Sequence, residues 1–557
     1  MKANGGSSTA TRAASCAFMG RLDLLTTAIY PHDPLQDSDE EGAPPPPFAL
    51  YSSAAVLPAL AGVARLSMHV LRPYLVVGLF VLGGLGVAST FCITTGAALL
   101  AYLCLFDERF RRSEPASQLA PGVHCRRSPR AEAIMAIVPA FQHPYYKGTP
   151  WIIGGDMATL YPFLAFRLPV VRYARRWLSV DADSTYKNGG NTRKGGGGNG
   201  NGHGKDNGKD NGSNRQGNSS DSSSLDGSTD CGGSSSAAVD ASAASDGSGR
   251  GEGGGAGMDA DDREAVALDI ALPEKGLDPA KPFYIVLHGL TGGSSEAYVL
   301  DFVTHALERD CGVCVMITRG CMGTPVRGNN IFHGARISDA RSTVRALRRS
   351  LPEETPLVML GYSMGGIIAM NYAAISGENS GLSCCVSMSG SFDTRQGKGT
   401  NMGSRHSQRV WQPILAWSLK ENFVVNNTRK MAARGLDVSA IESCRHVLDI
   451  DTHFVSRYNG YSDVTGYYVD MSAAAEDKIA GLRIPMLAVS SFDDPIMTSD
   501  GSPEAALTNV EDLFILVTRK GGHVGWPTGW LPHRNKWSWM SNTSLDFCEA
   551  VVATAAL

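Results

Sequence analysis

The sequence predicts an α/β fold with a mostly parallel sheet flanked by helices. Three observations carry this. Short apolar runs recur from residue 282 onward, at 283–287, 314–318, 356–360, 384–388, 486–490 and 513–517. Segments with helical spacing lie between most of them, and strands that alternate with helices imply a parallel sheet covered on both sides. Several of the runs end on polar or glycine-rich turns, where such a sheet carries its chemistry.

Each element follows from its pattern. Ile337, Ala340, Val344, Leu347 and Leu351 are spaced for one face of a helix, and Arg341, Arg345, Arg348 and Arg349 form its solvated side. The run from Pro356 to Leu360 leads into Gly361-Tyr362-Ser363-Met364-Gly365, and a helix-like stretch follows from Gly366 to Tyr372. A strand that turns sharply into a helix presents a serine at the tip of the turn, and glycines on either side permit the strained backbone and close packing. The pentapeptide alone is weak in a chain with 63 glycines, so its strand–turn–helix setting is what gives it weight.

Two later runs end in matching fashion. Met486 to Val489 leads to Asp493-Asp494-Pro495, and Leu513 to Val517 leads to Gly521-Gly522-His523-Val524-Gly525. The order Ser, Asp, His is that of the α/β-hydrolase fold. Serine is a weak nucleophile at neutral pH and needs a base, here His523. The imidazole in turn needs a carboxylate to hold its tautomer and balance its charge. Asp494, immediately before Pro495, is preferred over Asp493, which lies closer to the strand. A tetrahedral oxyanion needs two backbone N–H donors. Met364 supplies one, and Leu290 in His288-Gly289-Leu290-Thr291-Gly292-Gly293 supplies the other. His288 reads as a structural residue of that loop.

Composition narrows the class further. The 557 residues carry a net charge of −4, which gives no reason to expect nucleic acid. Twelve cysteines form no framework. Cys311 and Cys314 make a C-x-x-C, but Cys314 opens a strand-like run and no second pair completes a zinc site. His446 and Asp451 form an H-x4-D pair of the kind sometimes linked to acyl transfer, a spacing expected by chance among thirteen histidines.

The remaining segments set the organisation. Residues 1–50 read as a disordered N-terminal arm. Residues 51–112 read as a membrane-anchor region, because 73–106 are uncharged and apolar, longer than the ~20 residues one span needs. One tilted span or a short hairpin fits. Arg109, Arg111 and Arg112 follow the run against Arg65 and Arg72 before it, which favours a cytosolic catalytic domain for a single span. The catalytic domain is expected over 113–182 and 264–557. Residues 183–263, dominated by Gly, Asn, Ser and Asp, are expected to be a disordered insertion into a hairpin between strands near Val170 to Val180 and Ala265 to Leu272. Residues 391–480 break the alternation where folds of this kind insert a lid.

With these residues in hand, the chain resembles the membrane-anchored alpha/beta-hydrolase-domain proteins, a group with animal phospholipase and monoacylglycerol-lipase members and bacterial and plant esterase-like relatives. The matching stretches are GGDMATLYPFL near 154, IVLHGLTGGSSEAYV from 285, ITRGCMG from 317, MLGYSMGG from 359, NGYSDVTGYY from 459, FDDPI from 492 and GGHVGW from 521. They fall within about 148 to 182 and 264 to 540. The resemblance implies hydrolysis of lipid esters, an N-terminal membrane anchor, no metal and no cofactor. On matching positions it implies Ser363, Asp494 and His523 as a triad. The hairpin insertion and the long apolar segment depart from the group, and the second leaves the number of passes open.

The function expected is a membrane-bound serine hydrolase of phospholipid or acylglycerol esters. Its partners would be the lipid substrate and the membrane, with the endoplasmic reticulum one candidate location, no nucleic acid and no obligate protein partner. An acyltransferase using the same triad and a non-catalytic lipid-binding protein are the alternatives.

Overall fold

The computed structural model describes residues 5–26, 119–167, 169–180, 264–326, 331–395, 405–433, 435–497 and 510–555. The apolar run 73–106 and the insertion 183–263 lie outside the described residues. Among the described residues no helix is long and apolar enough to cross a membrane.

Among the described residues nine strands form one sheet, in the order β1-β9-β8-β7-β6-β4-β5-β3-β2. Its centre is β4 (Phe283–Leu287), β5 (Gly312–Ile317), β6 (Leu357–Tyr362), β7 (Cys384–Met388), β8 (Met486–Ser491) and β9 (Leu513–Thr518), all parallel to their neighbours in this set. Almost every residue of these strands is buried. Burial on both faces is why they read as continuous apolar runs rather than alternating ones. The edges are antiparallel. β1 (Gly122–His124) pairs with β9, and β2 (Ala174–Ser179) with β3 (Ala265–Ala271), which itself runs antiparallel to β5. Ser179 sits opposite Ala265 at the connected end of the β2–β3 hairpin.

Helices cover both faces. Phe283 and Tyr284 are neighbours on β4 and therefore point to opposite sides. Phe283 meets Phe18 of helix α1 (Gly5–Asp23), and Tyr284 meets Phe302 of a helix on the other side. Chain order gives α2 (Pro129–Ile137), α3 (Gly154–Ala165), α4 (Ala297–Glu308, which carries Phe302), α5 (Ser338–Ser350) and α6 (Met364–Ser376). Ser128 caps α2 by accepting the Ala131 N–H at 3.0 Å, with Pro129 in the first turn.

Helix α1 corrects the expectation of a disordered arm over its own residues. Ala14, Phe18 and Leu22 recur every four residues, and Phe18 and Leu22 are fully buried in the core. The Leu277 N–H donates to Ser15 at 2.6 Å. This short stripe was hidden in a polar, small-residue stretch whose average composition resembles a tail. Strand β1 was likewise not foreseen, since three residues offer no periodicity.

Between β7 and β8 the chain forms an insertion built from helices. The longer ones are α7 (Trp411–Leu419), α8 (Val425–Ala433) and α9 (Val464–Met471). The last helix, α10 (Ser538–Ala553), packs on α4. Ser541 of α10 donates to Asp301 at 2.8 Å, and Arg309 reaches Asn542 and Asp546, each at 2.8 Å.

Candidate active site

The turn after β6 is crowded enough to dictate its residues. Ser363 has φ 52° and ψ −117°, a region that L side chains enter only under strain. Backbone bonds hold it there: its N–H donates to Met388 O at 2.8 Å, and its carbonyl accepts from Ile367 at 3.1 Å as α6 begins. A Cβ on Gly361 would stand 2.1 Å from Gly365 O, and one on Gly365 would stand 2.3 Å from Leu287 O. Both contacts are with backbone, so neither position accepts a side chain.

The end of β9 brings His523 to this serine. Its Nε2 lies 2.9 Å from Ser363 Oγ, and its Nδ1 lies 2.8 Å from Asp494 Oδ2. The other Asp494 oxygen accepts the N–H groups of Ile496 at 2.8 Å and Met497 at 2.9 Å. That carboxylate is thus fixed by three hydrogen bonds. Its neighbour Asp493 turns elsewhere, accepting from Gly522 N at 2.9 Å and Ser491 Oγ at 3.0 Å. Asp494 therefore aligns the imidazole, and Asp493 shapes the loop that carries it. Asp494 and His523 are buried, while Ser363 is part-exposed.

The loop after β4 lies against the serine. A Cβ on Gly289 would approach Ser363 Cβ to 3.5 Å, so the backbone of Gly289 passes close to Ser363. The Gly289 N–H donates to Tyr298 Oη at 3.0 Å. Met364 opens α6, and the first N–H groups of a helix have no partner within it. His288 is an internal brace. Its Nε2 accepts the Thr318 N–H at 3.2 Å, which leaves the hydrogen on Nδ1 to donate to Gly289 O at 2.7 Å. Burial lowers its pKa to about 4, so the ring stays neutral.

Several supporting residues were not legible in sequence. Thr159 on α3 accepts the His523 N–H at 2.8 Å and donates to Gly155 O at 2.6 Å. Ser389 accepts from Val524 N at 3.0 Å, where Val524 has φ 51°. Both bonds join positions more than a hundred residues apart, so no local pattern reports them. The helical insertion also reaches this region. Ser418 on α7 shares a 2.9 Å hydrogen bond with Thr291 of the β4 loop. Asp156 on α3 accepts from His406 Nε2 at 2.7 Å and Trp411 Nε1 at 2.6 Å.

The H-x4-D residues do not meet. His446 pairs with Asp449 at 3.3 Å, whereas Asp451 accepts from Tyr468 Oη at 2.8 Å inside the insertion. Cys311 and Cys314 are both buried free thiols, and burial pushes Cys311 up to about 12, away from the reactive thiolate. Among the described residues no three His, Cys, Asp or Glu side chains gather as a metal site.

A family profile described as alpha/beta hydrolase fold matches residues 284–433, which contain Ser363. Among curated proteins, monoacylglycerol lipase of Saccharomyces cerevisiae is 31% identical over 264 residues, 46% of this chain and 57% of the yeast protein. The YheT protein of Escherichia coli is 31% identical over 263 residues, covering 46% of this chain and 74% of its own. Human phospholipase ABHD3 is 25% identical over 279 residues, 49% of this chain and 64% of that protein. The match thus spans less than two thirds of the yeast and human relatives. Among solved structures, brefeldin A esterase, a bacterial homologue of human hormone sensitive lipase, overlaps 53% of this chain and 74% of its own at 14% identity and a TM-score of 0.33.

Proposed function

The chain belongs to the alpha/beta-hydrolase family, and from that premise we propose that it is a membrane-anchored serine hydrolase cleaving carboxylic esters of acyl lipids. The observation that carries the reading is the continuous hydrogen-bonded line from Asp494 through His523 to Ser363, with links of 2.8 and 2.9 Å. In this line the Ser363 hydroxyl donates to Nε2 and the Nδ1 hydrogen goes to Asp494.

The steps follow. Ser363 Oγ attacks the ester carbonyl while His523 Nε2 takes its proton. The tetrahedral oxyanion is held by the N–H groups of Met364 and Leu290. Collapse expels the alcohol, which takes the proton from His523, and leaves an acyl-serine. Water then gives a proton to His523 and attacks the acyl carbon. The acid departs, and the proton returns to Ser363.

The substrate class rests on the names of the relatives, monoacylglycerol lipase and phospholipase. The insertion between β7 and β8 serves as a lid, on the strength of its contact with the β4 loop through Ser418 and Thr291. The apolar run 73–106 serves as the anchor, and the arginines that follow it favour a cytosolic catalytic domain.

The test presents the purified full chain with a phospholipid and a monoacylglycerol, with and without a second alcohol. Release of free fatty acid by wild type and not by Ser363→Ala supports the proposal. Acyl transfer that outruns hydrolysis at every acceptor concentration would replace it with an acyltransferase. Binding of either lipid with no product would replace it with a non-catalytic protein.

A further inference from the structure

Helix α3 has an unusual outward face. Gly154, Gly155, Asp156, Ala158, Thr159 and Pro162 point inward and are buried. The positions left toward solvent are apolar: Leu160 and Tyr161 are part-exposed and Leu164 is exposed. A surface helix ordinarily turns charged and polar residues outward. Here the sole charged residue, Asp156, is the one turned in.

The apolar face continues beyond the helix. Trp151 and Ile153 precede it, with Ile153 54% exposed. Trp151 packs on the Tyr161 ring at 5.0 Å and donates its indole N–H to Trp530 O at 2.9 Å. Trp530 is 73% exposed, and Leu531 beside it is also exposed. Two segments far apart in sequence thus share one patch of exposed aromatic and aliphatic side chains, an arrangement that marks an interaction site rather than ordinary surface.

Charge says what the patch meets. Residues 143–173 and 519–541 hold seven Lys or Arg and a single acid, the buried Asp156, in a chain whose net charge is −4. Lys147, Arg167, Arg172 and Arg534 are all exposed. Tryptophan prefers the boundary between head groups and acyl chains, aliphatic side chains sink below it, and lysine and arginine meet anionic head groups above it. We infer that this patch docks the catalytic domain flat on an anionic phospholipid bilayer.

Other occupants fit the charge less well. The uncharged run 73–106 of the same chain would leave the basic rim unanswered. A second copy would set one basic rim against another. The position also suits the chemistry, since α3 holds the His523 backbone through Thr159, and Trp530 follows His523 by seven residues. The inference rests on the lipid-ester reading only for the use of such docking, and the docking is measured without turnover.

The experiment is hydrogen–deuterium exchange on the full chain in nanodiscs of phosphatidylcholine alone and of phosphatidylcholine with phosphatidylserine. The expected result is severalfold slower exchange in 145–153 and 528–535 only when phosphatidylserine is present, reversed by added salt. Trp530→Ser with Leu531→Ser, and separately Arg167→Glu with Arg534→Glu, should abolish the protection. These side chains are exposed, and unchanged exchange elsewhere in the domain shows that the variants fold. Equal protection in both lipids would overturn the inference in favour of the chain's own apolar run. Protection that rises with protein concentration would overturn it in favour of a second copy, and no protection in either lipid would overturn it outright. A protected but inactive protein would remove the hydrolase reading and leave the docking surface standing.

Discussion

The turns at the ends of β6, β8 and β9 and the helical insertion between β7 and β8 are built on opposite terms. The turns are confined chiefly by backbone: Gly361 and Gly365 meet carbonyl oxygens, Ser363 is held at positive φ by its N–H bond to Met388 O on the neighbouring β7, and Val524 by its N–H bond to the Ser389 hydroxyl just beyond that strand. The insertion is held by side chains, among them Asp451 with Tyr468, Ser418 with Thr291, and His406 and Trp411 with Asp156. Backbone crowding admits few sequences, whereas side-chain bonds admit many. The turns therefore tolerate little change, and the insertion is the freer of the two to vary.

The sharpest way to break this contrast lies within two adjacent residues. Asp494→Asn removes the carboxylate that aligns His523, and turnover of a soluble ester should fall about ten-thousandfold. Asp493→Asn keeps an acceptor for Gly522 and should cost less than about tenfold. Equal losses would mean that both carboxylates act on the imidazole. Next in size is Gly365→Ala. Its methyl group meets Leu287 O and His288 O, and chemical denaturation should show a loss of at least about 3 kcal/mol.

The insertion offers a smaller, pH-dependent test. Burial raises Asp451 to about 7, whereas an unfolded aspartate titrates near ~3.9. Between those values the folded chain keeps a proton that the unfolded chain has released, so this residue subtracts stability as pH rises through the window. Asp451→Asn removes that term. The melting temperature of the variant relative to wild type should climb from pH ~4 to pH ~7, and a flat difference would show that Asp451 is ionised in place. The smallest effect belongs to His446→Ala. The side chains of His446 and Asp449 are both about half-exposed, and the change should stay within about 0.5 kcal/mol and leave turnover unaltered.

The same contrast explains how much could be read in advance. The six central strands were visible because burial on both faces leaves a run such as Phe283 to Leu287 with no polar interruption. Ser363 and His523 were visible because glycines forced by backbone clashes surround them. Asp494 stood out from Asp493 only through its place before Pro495, and the structure supplies the reason in the two N–H donors just beyond the turn. Thr159 and Ser389 support the histidine loop across long sequence separations and leave no local trace. Helix α1 escaped notice because three apolar contacts, at Ala14, Phe18 and Leu22, dock a stretch that is otherwise small and polar. The outward face of α3 was hidden for the converse reason, since an apolar helix reads as buried until its neighbours are known.

The proposed chemistry stands or falls with Ser363 as an activated nucleophile. The most direct measurement is covalent labelling of membranes containing the full chain with a fluorophosphonate probe, comparing wild type with Ser363→Ala and Asp494→Asn. Wild type should label rapidly, Ser363→Ala not at all and Asp494→Asn much more slowly. A folded wild-type protein that takes up no probe, or a Ser363→Ala variant that labels as fast as wild type, would contradict it.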